Sequence, residues 1–171
     1  DVERSRGLGD VYKRQVRRRL VPFGRGSQMP IRTWWQVLAE LNTINTSPYL
    51  GFAIGEHVQL SHSGALGYLI AQNETLGDAL SCFQRFQILL HNYGPVHVDQ
   101  KGNQLTISWD YQGKKSTLLS DQVFVSSMMS MVRNITGNAS ILASSIRFQQ
   151  AQPAEALSLI HISEPTRPLY I

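Results

Sequence analysis

A chain of 171 residues with 16 Lys and Arg against 12 Asp and Glu carries a formal charge of only +4, which by itself does not argue for a nucleic-acid surface. Its one cysteine, Cys82, excludes an intrachain disulfide and suits a reducing, cytoplasmic setting. No apolar run approaches the ~20 residues of a membrane span, so no membrane partner is expected.

Both ends read as something other than protein design. Ser5 to Gln15 matches a forward translation of a transposase-type sequencing adapter, and Leu157 to Arg167 matches the reverse complement of the same oligonucleotide. Residues 1–15 and 157–171 are therefore set aside as adapter-derived tails. The remaining 141 residues, 16–156, fit one domain and carry +3, three of those charges being Arg17, Arg18 and Arg19 at the edge. A short basic run at a boundary, without interleaved aromatics, reads as a solvated end.

Along the insert, Ile31, Trp34/Trp35, Leu38, Leu41 and Ile44 recur at three- and four-residue steps behind Pro30, which predicts a helix over 30–46. Ser47-Pro48 ends it, and Tyr49 to Ile54, closed by Gly55, predicts a second short helix. Gly64 to Ala71 is apolar almost throughout and is expected to be buried, with Gly64 and Gly67 admitting a close neighbouring backbone. Thr75 and Asp78 have the form of a capping box opening a helix over 75–91, its inward stripe being Leu76, Ala79, Leu80, Phe83, Phe86/Gln87 and Leu90. Gly94-Pro95 stops it. Val96 and Val98, then Leu105, Ile107 and Trp109, alternate with polar residues about Lys101-Gly102-Asn103, predicting a β-hairpin over 95–99 and 104–111. A third long helix fits 118–136, and Ile146 to Gln149 reads as a last strand. The fold class is α+β: amphipathic helices on a small antiparallel sheet in a single domain.

The order of these elements, with Leu50-Gly51-Phe52, Gly64-Ala65-Leu66-Gly67-Tyr68, Thr75 to Leu80 and Arg85-Phe86, resembles the arabinose-binding-type N-terminal domain of a subgroup of AraC/XylS-family transcriptional regulators. The resemblance runs from about Met29 to Pro153. It implies a bacterial one-component regulator whose N-terminal domain senses a small-molecule effector and forms a homodimer. DNA contact is then left to a C-terminal pair of helix-turn-helix motifs that residues 16–156 do not contain.

An effector site is expected to be mostly apolar with a few placed polar groups. Trp34, Tyr68, Phe83, Phe86 and Trp109 are the candidate walls, against the competing reading of core packing. Arg85 is a candidate clamp for an acidic effector, against an ion pair with Asp78 or another surface carboxylate. An enzyme reading would start at Cys82, which lies mid-helix, away from a thiol-activating helix N-terminus. His57, His62, His91 and His97 form no i, i+4 pair, so no metal is expected. Gly64 and Gly67 lack the Lys or Thr of a phosphate loop, and no cofactor is expected. The alternative reading is a stand-alone α+β small-molecule-binding module, more remotely a Cys-dependent enzyme.

Overall fold

The computed structural model describes residues 14, 16–24, 27–92, 94–109 and 116–148. In chain order, helix α1 (Ile31–Ile44) leads to α2 (Leu50–Glu56), a 3-10 turn at Leu60–Ser63, α3 (Gly64–Ala71) and α4 (Leu76–Phe86). A second 3-10 turn, Gln87–Leu89, precedes strands β1 (Val96–Lys101) and β2 (Gln104–Trp109), and helix α5 (Leu118–Thr136) closes the domain. The architecture is α+β, as the periodicities predict. Residues 16–20 are also helical despite their arginines, and Arg19 docks them on α1 through Glu40 and Gln36.

Helix α5 organises the rest because it is buried on two opposed faces of different chemistry. Gln122, Ser126 and Ser130 recur every four residues and are buried, forming a small polar row on one face. Phe124, Met128, Met131 and Ile135 line the opposite face and join the apolar core with Leu66, Ile70, Ala79, Leu80, Phe83 and Val96. Thr117 caps the first turn by accepting from the Ser120 amide (3.1 Å). Gly137, at φ 64°, supplies the left-handed residue that ends the helix.

The polar row of α5 meets α2, the most intimate helix contact of the domain. Gln122 Nε2 donates to the Pro48 carbonyl (3.0 Å) and Ser126 Oγ to that of Phe52 (2.8 Å). The Ser130 hydroxyl reaches the Gly55 and Glu56 carbonyls at 3.4 and 3.3 Å. Such contact to backbone requires residues without side chains on the facing helix. A Cβ at Gly51 would lie 2.5 Å from Gln122 Cβ, and one at Gly55 the same distance from Ser126 Cβ. Gly55 therefore sits inside α2 as a packing residue and does not close the segment.

Helix α3 departs from the expectation of general burial. Leu66, Gly67 and Ile70 are buried while Tyr68 and Leu69 face outward, since the helix packs by one stripe against the Leu60–Ser63 turn, α4 and the Gln87–Leu89 turn. The two glycines have separate reasons. A Cβ on Gly67 would overlap the Leu60 carbonyl, whereas Gly64 has open space and is needed for its positive φ of 55° between the 3-10 turn and α3.

Helix α4 begins as predicted, with Thr75 Oγ1 accepting from the Asp78 amide at 3.1 Å and donating to its carboxylate at 2.6 Å. It ends at Phe86, five residues before the predicted His91, because the last turn tightens to 3-10 and leaves Leu90 exposed. Gln87 explains the tightening. Its buried side-chain amide donates to the Gln84 and Val96 carbonyls (both 3.1 Å) and accepts from the Val96 amide (2.7 Å). One side chain thus takes the place of a third strand at the free edge of β1.

The hairpin pairs Val96 with Trp109, Val98 with Ile107 and Gln100 with Leu105 on its inner face, turning at Gly102, φ 58°. Val96, Val98, Ile107 and Trp109 pack into the core, and Leu105 at the tip stays exposed. Residues 110 and 111 of the predicted second strand lie outside the described residues. The predicted last strand is not formed: Ile146–Phe148 have no ladder partner among the described residues. This segment lies against a helix instead, with the Phe148 ring edge-on to Phe52 of α2 (centroids 6.3 Å apart). Residue 149 is outside the described residues.

Candidate functional site

Of the six residues predicted to bind a ligand, the fold gathers three. Phe83 and Phe86 from α4 and Trp109 from β2 belong to one apolar cluster where the hairpin, α4 and α5 converge. Phe83, only 2% exposed, is a core residue; Phe86 and Trp109 are half-buried. The other three lie outside that cluster. Trp34 is half-buried on α1, and Tyr68 is 68% exposed on the outer side of α3. Arg85 is exposed as well, its guanidinium 5.2 Å from the Phe86 ring centroid. It makes no ion pair among the described residues, and Asp78, the partner weighed for it, is engaged by Thr75. An exposed cation over an aromatic face adds about 0.5–1 kcal/mol, so Arg85 shields the outer side of Phe86.

Two residues that sequence reasoning passed over complete the cluster. Phe124 of α5 stacks against Trp109 with ring centroids 4.8 Å apart and planes at 57°. The His91 imidazole meets Phe124 edge-to-face, 6.2 Å away at 83°. Phe124 therefore touches both His91 and Trp109, and the three rings come from three different segments. His91 is fixed by its backbone amide, which donates to the Gln87 carbonyl at 3.0 Å, and Gln87 is itself clamped to β1.

The electrostatics of this corner are those of a desolvated neutral imidazole. Both His91 ring nitrogens are buried and have no hydrogen-bond partner among the described residues. Burial lowers the His91 pKa below its ordinary value of 6.5, because a positive charge there would lose its hydration. At neutral pH the ring is then one donor and one acceptor in an aromatic setting, which can orient a hydroxyl or amide but holds an anion poorly.

Other chemistries find less support. Cys82 is half-buried against the core in the middle of α4. No group of three or more His, Cys, Asp or Glu residues suited to a metal ion occurs among the described residues. No described helix is long and apolar enough to cross a membrane.

The family model for the N-terminal arabinose-binding domain of AraC transcription regulators matches residues 25–159, a span that holds α1 to α5 and every ring of the aromatic corner. Comparison with curated proteins and with solved structures returned no match. The matched family is a ligand-binding regulatory domain and not an enzyme. With most of its length under that one model, the chain belongs to the family of N-terminal arabinose-binding domains of AraC transcription regulators.

Proposed function

We propose that residues 16–156 are the effector-sensing and dimerisation part of a bacterial one-component transcriptional regulator. DNA contact is assigned to a C-terminal helix-turn-helix pair outside this segment. The observation that carries the reading is the family match over 25–159. The match leaves residues 1–24 and 160–171 outside, and the adapter-derived tails, 1–15 and 157–171, are proposed on the oligonucleotide correspondence alone. The reading is supported by the aromatic corner, where Phe86, Phe124 and Trp109 give apolar walls and His91 one polar side chain. Self-association is supported by the exposed Tyr68 and Leu69 of α3 and Ile88 and Leu89 of the adjoining 3-10 turn, two elements that pack together.

In this reading the domain carries no base-reading element, since specificity in such regulators lies in recognition helices. The chain should bind a cognate promoter fragment and unrelated DNA of equal length with the same weak, salt-sensitive affinity. It should sediment as a concentration-dependent dimer. A gel shift with sequence-specific, salt-resistant binding by the chain alone would place a DNA-reading surface here and sink the assignment.

A further inference from the structure

We propose that two copies of this chain pair through the outer face of α3 and α4, with α4 antiparallel to its symmetry mate across a two-fold axis at Ser81, so that Asp78 of each copy meets Arg85 of the other. The proposal rests on the dimerisation assigned above and names its surface, its register and the groups that set them.

Three observations converge. The first is a charged stripe that the fold leaves open. Asp78, Ser81 and Arg85 are exposed on α4, at steps of three and four residues that place them on one face of the helix. The opposite face is buried through Ala79, Leu80 and Phe83. Thr75 Oγ1 donates to Oδ2 of Asp78, and Oδ1 has no hydrogen bond among the described residues. The Arg85 guanidinium touches the Phe86 ring and forms no ion pair among the described residues.

The second is an apolar margin. Tyr68, Ile88 and Leu89 are each more than half exposed, and Leu69 is 40% exposed. They come from α3 and from the 3-10 turn that continues α4, and α3 packs on both that turn and α4. Single exposed apolar side chains are ordinary, whereas several large ones on adjoining elements mark a contact surface.

The third is self-complementarity, which selects a second copy as the occupant. Asp78 stands in the first turn of α4 and Arg85 in the last, each about 5 Å along the axis from the midpoint between Ser81 and Cys82. Turned end for end, the stripe lays acid on base. One two-fold operation therefore forms both ion pairs, as an isologous interface requires. It also sets the positive end of each helix dipole beside the negative end of the other. Ser81, small and exposed at the crossing point, lets the axes approach to the usual distance of about 8–10 Å. A parallel pair would instead set Asp78 on Asp78 and Arg85 on Arg85.

The test uses the whole 171-residue chain and sedimentation equilibrium. Arg85→Glu and Asp78→Lys each place like charges across the axis and should weaken self-association by about tenfold or more. An equimolar mixture of the two variants should recover it, because the heterodimer holds one native ion pair and one reversed pair. Ile88→Asp should weaken association without lowering Tm. Independently, Ser81→Cys in a Cys82→Ala background should give a disulfide-linked dimer on mild oxidation with diamide. Lys101→Cys in the same background, exposed on the hairpin, should not. The cross-link leaves both charges in place, so it decides the register even where Asp78→Lys disturbs the start of α4.

A dimer undiminished in both charge variants, with no more cross-linking at Ser81→Cys than at Lys101→Cys, overturns this surface and leaves dimerisation standing. Weakening in each variant without recovery in the mixture overturns the antiparallel register. A wild-type chain that stays monomeric at about millimolar concentration removes the surface and the dimerisation together, and leaves the sensing role untouched.

Discussion

Replacing Gly55 by alanine should destabilise the domain even though alanine is the better helix former. The new Cβ would lie 2.5 Å from both Ser126 Cβ and the Val123 carbonyl oxygen, and 2.9 Å from the Ser127 amide nitrogen. Carbon–carbon contact is optimal near 3.5–4 Å, so α2 and α5 must part by roughly 1 Å. The obstacles are the backbone and a Cβ of a central helix, which cannot swing aside. Separation of that size also stretches the hydrogen bonds from Gln122, Ser126 and Ser130 to the α2 region, now 2.8–3.4 Å long. Overpacking costs about 1–3 kcal/mol, three weakened hydrogen bonds cost about 0.5–1.5 kcal/mol each, and helix propensity returns about 1 kcal/mol. A net loss of about 1.5–6.5 kcal/mol is expected. Urea denaturation of the variant should show a lowered midpoint with an unchanged slope. Gly77→Ala is the internal control. It sits in the first turn of α4, where the nearest atom to a new Cβ is Thr75 Oγ1 at 3.8 Å, and it should be neutral or stabilising by up to about 1 kcal/mol. If Gly55→Ala matched Gly77→Ala, the close packing of α2 on α5 would be refuted.

Other consequences follow from single contacts. Gln87→Leu keeps the buried volume but strips the Val96 amide and carbonyl of their partners; a loss of about 2–4 kcal/mol is expected, with faster hydrogen exchange confined to the start of β1. Because burial depresses the His91 pKa, the unfolded chain binds this proton at a higher pH than the folded one. Stability should therefore fall as pH drops below about 6.5 towards the folded-state value, and be independent of His91 above it. The difference in urea midpoint between pH 8 and pH 5 should shrink in His91→Phe, and an equal difference in both proteins would contradict a desolvated neutral ring. Removal of residues 1–15 and 157–171 should leave Tm unchanged or raise it, whereas a substantial drop on calorimetry would make the tails part of the domain.

Short-range patterns carried most of the secondary structure. The Thr75 cap, the stripe from Leu76 to Phe83, the Gly102 turn with its alternating flanks and the Gly137 stop each act within a few residues, and local chemistry of that kind is written directly in the sequence. The aromatic content of the candidate site was legible as well, in Phe83, Phe86 and Trp109. What periodicity cannot hold is which distant surface an element meets. Tyr68 and Phe83 are both aromatic in sequence, yet one faces solvent and the other the core, because Tyr68 lies off the stripe by which α3 packs. The row of Gln122, Ser126 and Ser130 looks like a solvated helix face until α2 covers it, and Gly51 and Gly55 gain their meaning from the same contact across some 70 residues. Gln87 gave no sign that its side chain would finish the edge of β1, which ended α4 early. Nor did His91 and Phe124 show that they would meet, since a T-shaped contact between segments 33 positions apart has no local signature. The helices and the hairpin come from nearest-neighbour physics. The aromatic corner comes from the packing of α5 against both, where burial, not residue type, decides which side chains are covered.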